Sequence, residues 1–578
     1  MSSEKMPITI IAKKSTREIK TGSWKYLEPY YKDLTPPCVD RCLTDQDIVV
    51  WLRLIEEGRF DEAIQHIYKS NPFPAVTGRV CPHPCEVPCN RKALGGAIQI
   101  HALERFLGDY ALEHNILPSW PREGDRDVRG LSTTRKIGIV GSGPAGLSAA
   151  FFLKFFGYDV TVIEKEKVAG GLLSTGIPEF RLPKYIVQKE IEKLKKLGIK
   201  FRFNETVGQT VSIENLIRQF DAVLLAIGKS ASSKLGLANE EHHQVLDGVK
   251  FLKDVVYGEK VDVGENTIIV GGGNTAIDCA RTVLRLGRKP RIIYRRTRKE
   301  MPAIKEEVDA AISEGVIIDF LVAPNRLIFK DNKLVGLECI RMELGPPDES
   351  GRARPIPKKG SEFEIRADTI IKAIGEYLYL PALSENKIEV ENKQIKITAN
   401  YQTTIDKVFA CGDCANNSGT VGDAIKRGRE AAYAIHTFLE NPDEFKKGNV
   451  LYPEVIVQRG ADPEIAKFKT FNTAYFQKEP PITLPEVPIV DRVNDFREVE
   501  KTITAQQAVK EACRCFKCGT CVFCDNCRVF CPEFAISFDG TKYIVNYEYC
   551  KGCGVCVEEC PRNALHLREV NLEKDKQE

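Results

Sequence analysis

Two glycine-rich turns constrain the chain most: Gly141-Ser142-Gly143-Pro144-Ala145-Gly146 and Gly271-Gly272-Gly273-Asn274-Thr275-Ala276. Each follows an apolar strand-like run and opens a helix-like one. The first glycine permits a tight turn and the second lets the backbone approach a pyrophosphate. The third, or alanine in its place, lets helix pack on strand while the helix N-terminus faces the anion. KIGIVGSGPAGLSAAFFLKFFGYDVTVIEK and NTIIVGGGNTAIDCARTVLRLGRKPRIIYRR are therefore read as βαβ units. Two such units about 130 residues apart require two nucleotide-binding domains.

The units end differently. Glu164 closes the second strand of the first, where a carboxylate accepts a ribose hydroxyl. The second ends in Tyr294-Arg295-Arg296-Thr297-Arg298-Lys299, where guanidinium groups suit a 2′-phosphate that a carboxylate would repel. NADP(H) rather than NAD(H) is expected there, on Gly271, Gly273, Asn274, Thr275, Ala276, Arg295 and Arg296. The alternative is that the arginines form a solvated basic loop.

A chain of 578 residues exceeds one hydrophobic core. Lys plus Arg at 83 against Asp plus Glu at 80 gives no reason to expect nucleic acid or an anionic membrane as partner. No apolar run reaches membrane-spanning length and MSSEKMPITIIAKKS lacks a signal-peptide core, so a cytoplasmic location is expected.

Of 20 Cys, five lie between Cys38 and Cys89 and eleven between Cys513 and Cys560. In a long chain this points to metal or cluster sites at both ends, not a disulfide framework. Two runs fit C-x2-C-x2-C-x3-C-P: Cys521, Cys524, Cys527, Cys531 before Pro532, and Cys550, Cys553, Cys556, Cys560 before Pro561. In two-cluster bacterial ferredoxins the fourth Cys of each run ligates the other cluster. One [4Fe-4S] is expected on Cys521, Cys524, Cys527 and Cys560, the other on Cys531, Cys550, Cys553 and Cys556. Zinc competes for C-x2-C thiolates, but the duplicated run favours clusters.

DAVLLAIG, DTIIKAIG and VFACGDC resemble the crossovers and the late segment of two-dinucleotide flavoproteins. The resemblance implies FAD on the first unit, held by Gly141, Gly143, Pro144, Ala145, Gly146, Glu164, Lys165, Gly171, Leu172, Gly228, Gly375, Gly412, Asp413 and Ala424. It also implies a nicotinamide domain inserted into the FAD domain. Gly228-Lys229-Ser230 is no P-loop, for no glycine stands five residues earlier. Cys411 and Cys414, flanking Gly-Asp, are expected to pack rather than exchange disulfides.

TPPCVDRC and VCPHPCEVPCNRKALGGAIQIHALERF resemble the N-terminal iron-sulfur domain of the glutamate synthase small subunit and dihydropyrimidine dehydrogenase, over about residues 35–440. The resemblance implies one cluster on Cys42, Cys85, Cys89 and Glu104, and a second including Cys38 and Cys81. The C-x2-C expected just before Cys38 is absent. AVKEACRCFKCG, residues 508–519, matches the missing segment, so Cys515 and Cys518 are expected to fold back and complete the second cluster. Cys513 has no assigned role.

The expected fold class is α/β: a two-dinucleotide-binding, Rossmann-like flavoprotein with an N-terminal all-α Fe-S domain and a C-terminal α+β ferredoxin domain. The expected boundaries are 1–128 helical Fe-S, 129–250 and 365–440 FAD, 250–365 NADP(H), 440–510 connecting arm and 511–578 ferredoxin. FAD, NADP(H) and four [4Fe-4S] clusters imply an NADPH-linked oxidoreductase that converts hydride to single electrons, working with a redox partner protein or catalytic subunit in a hetero-oligomer. The alternatives are the glutamate synthase small subunit, which ordinarily ends after its FAD domain, and a non-catalytic electron wire with a vestigial nicotinamide site.

Overall fold

The computed structural model describes residues 20–119, 134–229, 231–348, 351–378, 381, 383, 387–416, 419–452 and 464–570. Near the N-terminus, helices Pro37–Arg41, Ile48–Glu56, Phe60–Tyr68, Pro74–Val80 and Ile100–Glu113 surround the buried Trp51. Pro37 and Pro74 stand in first turns, where a missing N–H costs nothing. Helices Pro74–Val80 and Ile100–Glu113 cross so closely that a Cβ on Gly78 would lie 2.4 Å from Arg105 N, and one on Gly108 2.2 Å from Ala75 N.

Two five-stranded parallel sheets follow. The first has the order Val408–Ala410, Ala222–Leu225, Lys136–Val140, Asp159–Ile163, Lys200–Arg202. The second runs Ile317–Phe320, Lys289–Tyr294, Asn266–Val270, Thr369–Lys372, Val245–Asp247. Their central strands are apolar on both faces, as helix-covered parallel strands must be. The second sheet is complete before the last strand of the first begins. A three-stranded antiparallel sheet, Val322–Lys330, Lys333–Pro347 and Ala353–Arg366, interrupts the second. The two crossovers meet where Ala231–Ser232 pairs with Glu376–Tyr377.

One expectation is corrected here. The described residues of 1–128 do not form one helical unit: Leu27–Tyr31 is a strand paired antiparallel with Leu565–Glu569 of the Cys-rich end. The described part of 440–510, expected as a connecting arm, is tied to the helical region. Thr35 N donates to Glu464 O (2.9 Å), Arg91 to Gln477 O (2.7 Å) and Arg79 to Glu498 (2.7 Å), so the arm lies along the helical region.

A buried ionic network joins the two dinucleotide domains. Arg181 binds Asp278 (2.8 Å) and Glu307 (3.0 Å), while Glu314 binds Arg281 (2.6 Å) and Arg285 (2.8 Å). Arg285 also lies over the Phe180 ring at 3.9 Å. Although burial opposes its charge, the two guanidinium groups hold the Glu314 carboxyl down to about 2. Its contribution is present above the ordinary carboxylate range and is lost as pH falls through that range toward 2. Glu314→Gln should therefore cost about 3 kcal/mol at neutral pH, since it leaves two buried guanidinium groups short of an anion. Denaturant titration should show the deficit at pH 7 and its shrinkage in acid; equal stability at pH 7 would count against the network.

Candidate electron-transfer centres

Strand Lys136–Val140 delivers the chain to Gly141, whose φ of +100° suits glycine. A Cβ there would meet Ala226 O at 2.4 Å, and one on Gly146 would meet Gly141 O at 2.1 Å. At Gly143, the N-cap of helix Pro144–Phe155, nothing lies within 4 Å. A space left open between two tightly packed glycines, at a helix N-terminus, is what a pyrophosphate needs. Glu164 is buried, its Oε2 accepting from Ser142 N (2.9 Å) and Oγ (2.5 Å), its Oε1 from Glu166 N (2.9 Å). The carboxylate is thus fixed beside the turn.

The late segment is brought to the same mouth. A Cβ on Gly412 would lie 2.9 Å from Ala145 Cβ, and one on Gly171 2.9 Å from Gly143 Cα. Asp413 Oδ1 accepts from Gly419 N (2.9 Å), and helix Val421–Glu440, which carries Ala424, receives a bond from Ser148 Oγ to Ile425 O (2.7 Å). Gly228 and Gly375, at φ +63° and +100°, turn the two crossovers, whereas Lys165 and Leu172 stand exposed at the rim. Cys411 and Cys414 are fully buried; Cys414 Sγ donates to Cys411 O (3.2 Å), and burial pushes its thiol up to about 12. Neither sulfur is accessible to a disulfide substrate.

The second turn repeats the pattern. A Cβ on Gly271 would lie 2.1 Å from Ala373 O, Gly273 is open, and Ala276 is fully buried where the third glycine stood in the first turn. Asn274 Oδ1 accepts from Ile304 N (2.9 Å), so its side chain braces the adjoining turn; Thr275 follows half-buried. Arg295 stands exposed at the strand end. Arg296 corrects the expectation: it is buried, donating through Nε to Ala353 O (2.8 Å) and through Nη2 to Asp348. The antiparallel sheet has claimed that guanidinium.

The N-terminal thiols separate into two groups. Cys42, Cys81, Cys85 and Glu104 line one cavity. Glu104 Oε1 accepts from Gln46 (2.5 Å), Asn71 (2.8 Å) and Thr77 (2.9 Å), leaving its other oxygen without a donor among the described residues. Cys38 instead faces Cys515, Cys89 and Cys518, while Cys515 and Cys518 in turn face Cys89. The structure therefore brings Cys515 and Cys518 to Cys38, but exchanges Cys81 and Cys89 relative to the expected sets. The reason is local. Cys81 ends the helix whose Thr77 holds Glu104, whereas Cys89 precedes Asn90, whose amide donates to Cys518 Sγ (3.5 Å).

Helix Ala505–Cys513 carries the returning segment, capped by Thr504 with Gln507. Glu511, fully buried, accepts from Gln99 N (2.9 Å) and Ile482 N (3.0 Å) and pairs with Arg514. The ferredoxin thiols line two further cavities, one with Cys521, Cys524, Cys527 and Cys560, the other with Cys531, Cys550, Cys553 and Cys556. Four convergent thiol or carboxylate donors per site fit a cubane cluster.

Asp45 lies two residues before the N-cap of helix Ile48–Glu56. Asp47 occupies that position, and Asp45 binds Arg429 (2.6 Å) and Lys426 (3.0 Å) of helix Val421–Glu440. Arg429 also donates to Thr44 O and Ser70 O, both at 2.6 Å. No local signal marks a pair so far apart in the chain.

The pyridine nucleotide-disulphide oxidoreductase family matches residues 135–432, more than half of the chain. The protein belongs to that family. The dihydropyrimidine dehydrogenase domain II 4Fe-4S family matches 32–116, and a 4Fe-4S binding domain matches 543–566. The beta subunit of NADP(+)-dependent formate dehydrogenase from Moorella thermoacetica is 37% identical over 514 residues, 85% of this chain and 71% of that one. The NADPH-Fe(3+) oxidoreductase beta subunit of Geobacter sulfurreducens is 34% identical over 516 residues, 84% and 75% of the two. The Escherichia coli glutamate synthase [NADPH] small chain is 35% identical over 427 residues, 70% and 89%. The chain is thus an NAD(P)H-dependent flavin and iron-sulfur oxidoreductase, with FAD, a nicotinamide dinucleotide and [4Fe-4S] clusters as cofactors. Among the described residues no helix is long and apolar enough to cross a membrane.

Proposed function

We propose that the chain is the NADPH-linked, electron-converting subunit of a cytoplasmic hetero-oligomer, carrying four [4Fe-4S] clusters between its flavin and a partner protein. The observation that carries this is the continuity of the sites. The loop holding Cys42 seats Leu43 on the flavin-side helix, where a Cβ on Gly422 would lie 2.9 Å from Leu43 Cβ. Cys85 faces Cys38 across to the second group, Cys515 and Cys518 lead into the ferredoxin, and Cys527 faces Cys556 within it. Cys524 and Cys553 reach the surface. A bound flavin takes two electrons from the nicotinamide and releases them singly, which the clusters require. The protein's part is to hold each group in sequence: Gly143 and Gly273 leave room for the dinucleotides, and Asp45 with Arg429 clamps the first cluster loop to the flavin domain.

The names of the relatives, beta subunits and a small chain, support a subunit role and NADPH as the nucleotide. The glutamate synthase small chain matches only 70% of this chain, so that reading accounts for less of it. The open cradle at Gly273 speaks against a vestigial nicotinamide site. The test is anaerobic viologen reduction with NADPH and NADH. Wild type should prefer NADPH, and Arg295→Ala should raise KM for NADPH about ten- to a hundredfold, the value of one charge-assisted contact, with kcat nearly unchanged. No NADPH-driven reduction by cofactor-replete protein would return the chain to the wire reading.

A further inference from the structure

Arg562 stands between the Cys38, Cys89, Cys515, Cys518 group and the first ferredoxin site. It follows Cys560 by two residues and lines the cavity shared by Cys521, Cys524, Cys527 and Cys560. Its Nη1 donates to Phe516 O (2.5 Å), inside the loop that joins Cys515 to Cys518. Its own carbonyl accepts from Gly519 N (2.8 Å), just beyond that loop. Two hydrogen bonds on one residue thus tie the two thiol sites together. The guanidinium lies over the Phe476 ring at 4.9 Å, and its Nε is buried with no acceptor among the described residues.

The groups acting on this charge are Cys515, Cys524, Glu56 and Cys518. Glu56 is paired with Lys517, which leaves the cysteines of both sites, thiolates once they ligate a cluster, as the groups Arg562 serves. No carboxylate on either side takes the guanidinium in an ion pair among the described residues. A permanently charged side chain with a buried, unspent N–H between two anion-forming sites calls for an electrostatic role.

Resting on the reading that both thiol groups hold clusters, we propose that Arg562 is a positioning residue for electron transfer between them, one fixed positive charge stabilising the reduced state of both. The step is one electron leaving one site and entering the other, with no bond made or broken and no proton moved. Each cluster gains negative charge on reduction, so a cation beside it favours the electron. One cation shared by two neighbours raises both potentials together and leaves the difference between them little changed, so both are easier to reduce without either becoming a trap.

The experiment compares Arg562→Gln and Arg562→Lys with wild type, in the full chain loaded with its cofactors. Iron content per chain is measured first, then the midpoint potentials of the clusters by EPR-monitored titration. Iron should be unchanged in all three. In Arg562→Gln the potentials of two clusters should fall together, with slower reduction of the ferredoxin signals by NADPH; Arg562→Lys should recover most of the shift. Unchanged potentials in Arg562→Gln with iron in place would overturn the proposal, as would equal shifts in both variants. A shift in one cluster alone would overturn the sharing of the charge. Wild-type protein lacking the N-terminal cluster signals would instead sink the reading on which the proposal rests, and the proposal with it.

Discussion

Cys515→Ser with Cys518→Ser should remove about four irons per chain and leave the ferredoxin clusters in place. The variant should fold, because the returning helix is anchored by groups the substitution does not touch. Thr504 and Gln507 cap it, and buried Glu511 binds Gln99 N, Ile482 N and Arg514. NADPH should still bleach the flavin, while the EPR signals of the reduced ferredoxin clusters should appear far more slowly, since the link through Cys38 and Cys89 is gone. Iron analysis with freeze-quench EPR reads both effects. Unchanged iron would mean these two thiols bind no cluster.

Gly143→Val should give a folded protein that carries almost no flavin. Gly143 has φ −69°, which any residue adopts, and no atom lies within 4 Å of the Cβ it would gain. The new side chain enters only the space kept for the pyrophosphate. Gly146→Val differs: its Cβ would strike Gly141 O at 2.1 Å, so that variant should lose stability as well as flavin. Flavin released by denaturation, set against the thermal midpoint of each variant, separates the two cases. Normal flavin content in Gly143→Val would move the binding site away from the first turn.

How much could be read beforehand depended on how local the signal was. The two glycine turns were legible because their chemistry is written within six residues, and the duplicated Cys runs because spacing alone fixes the register. The partition of Cys81 and Cys89 was not. Both follow Cys42 at similar intervals, and only the packing of Thr77 on Glu104 and of Asn90 on Cys518 sends them to opposite sites. Arg296 resembled Arg295 in sequence; an inserted antiparallel sheet, placing Ala353 O and Asp348 beside it, took it out of reach of a ligand. The strand at Leu27–Tyr31 had no partner to be read from its neighbours, for that partner lies at the far end of the chain. Long-range pairings of this kind leave no periodic trace.

Those same pairings set an order of manufacture. Cys38 and Cys89 leave the ribosome long before Cys515 and Cys518, and at roughly 5–20 residues per second the gap is on the order of tens of seconds. Throughout it the early segment holds a half-site of two thiols, open to oxidation, beside a neighbouring group that already has all its donors. The donors Cys42, Cys81, Cys85 and Glu104 are thus all made early, whereas the group around Cys38 and Cys89 is complete only once Cys515 and Cys518 have followed. A chain that stalls before its last segment would emerge with a flavin domain complete and its outlet unmade.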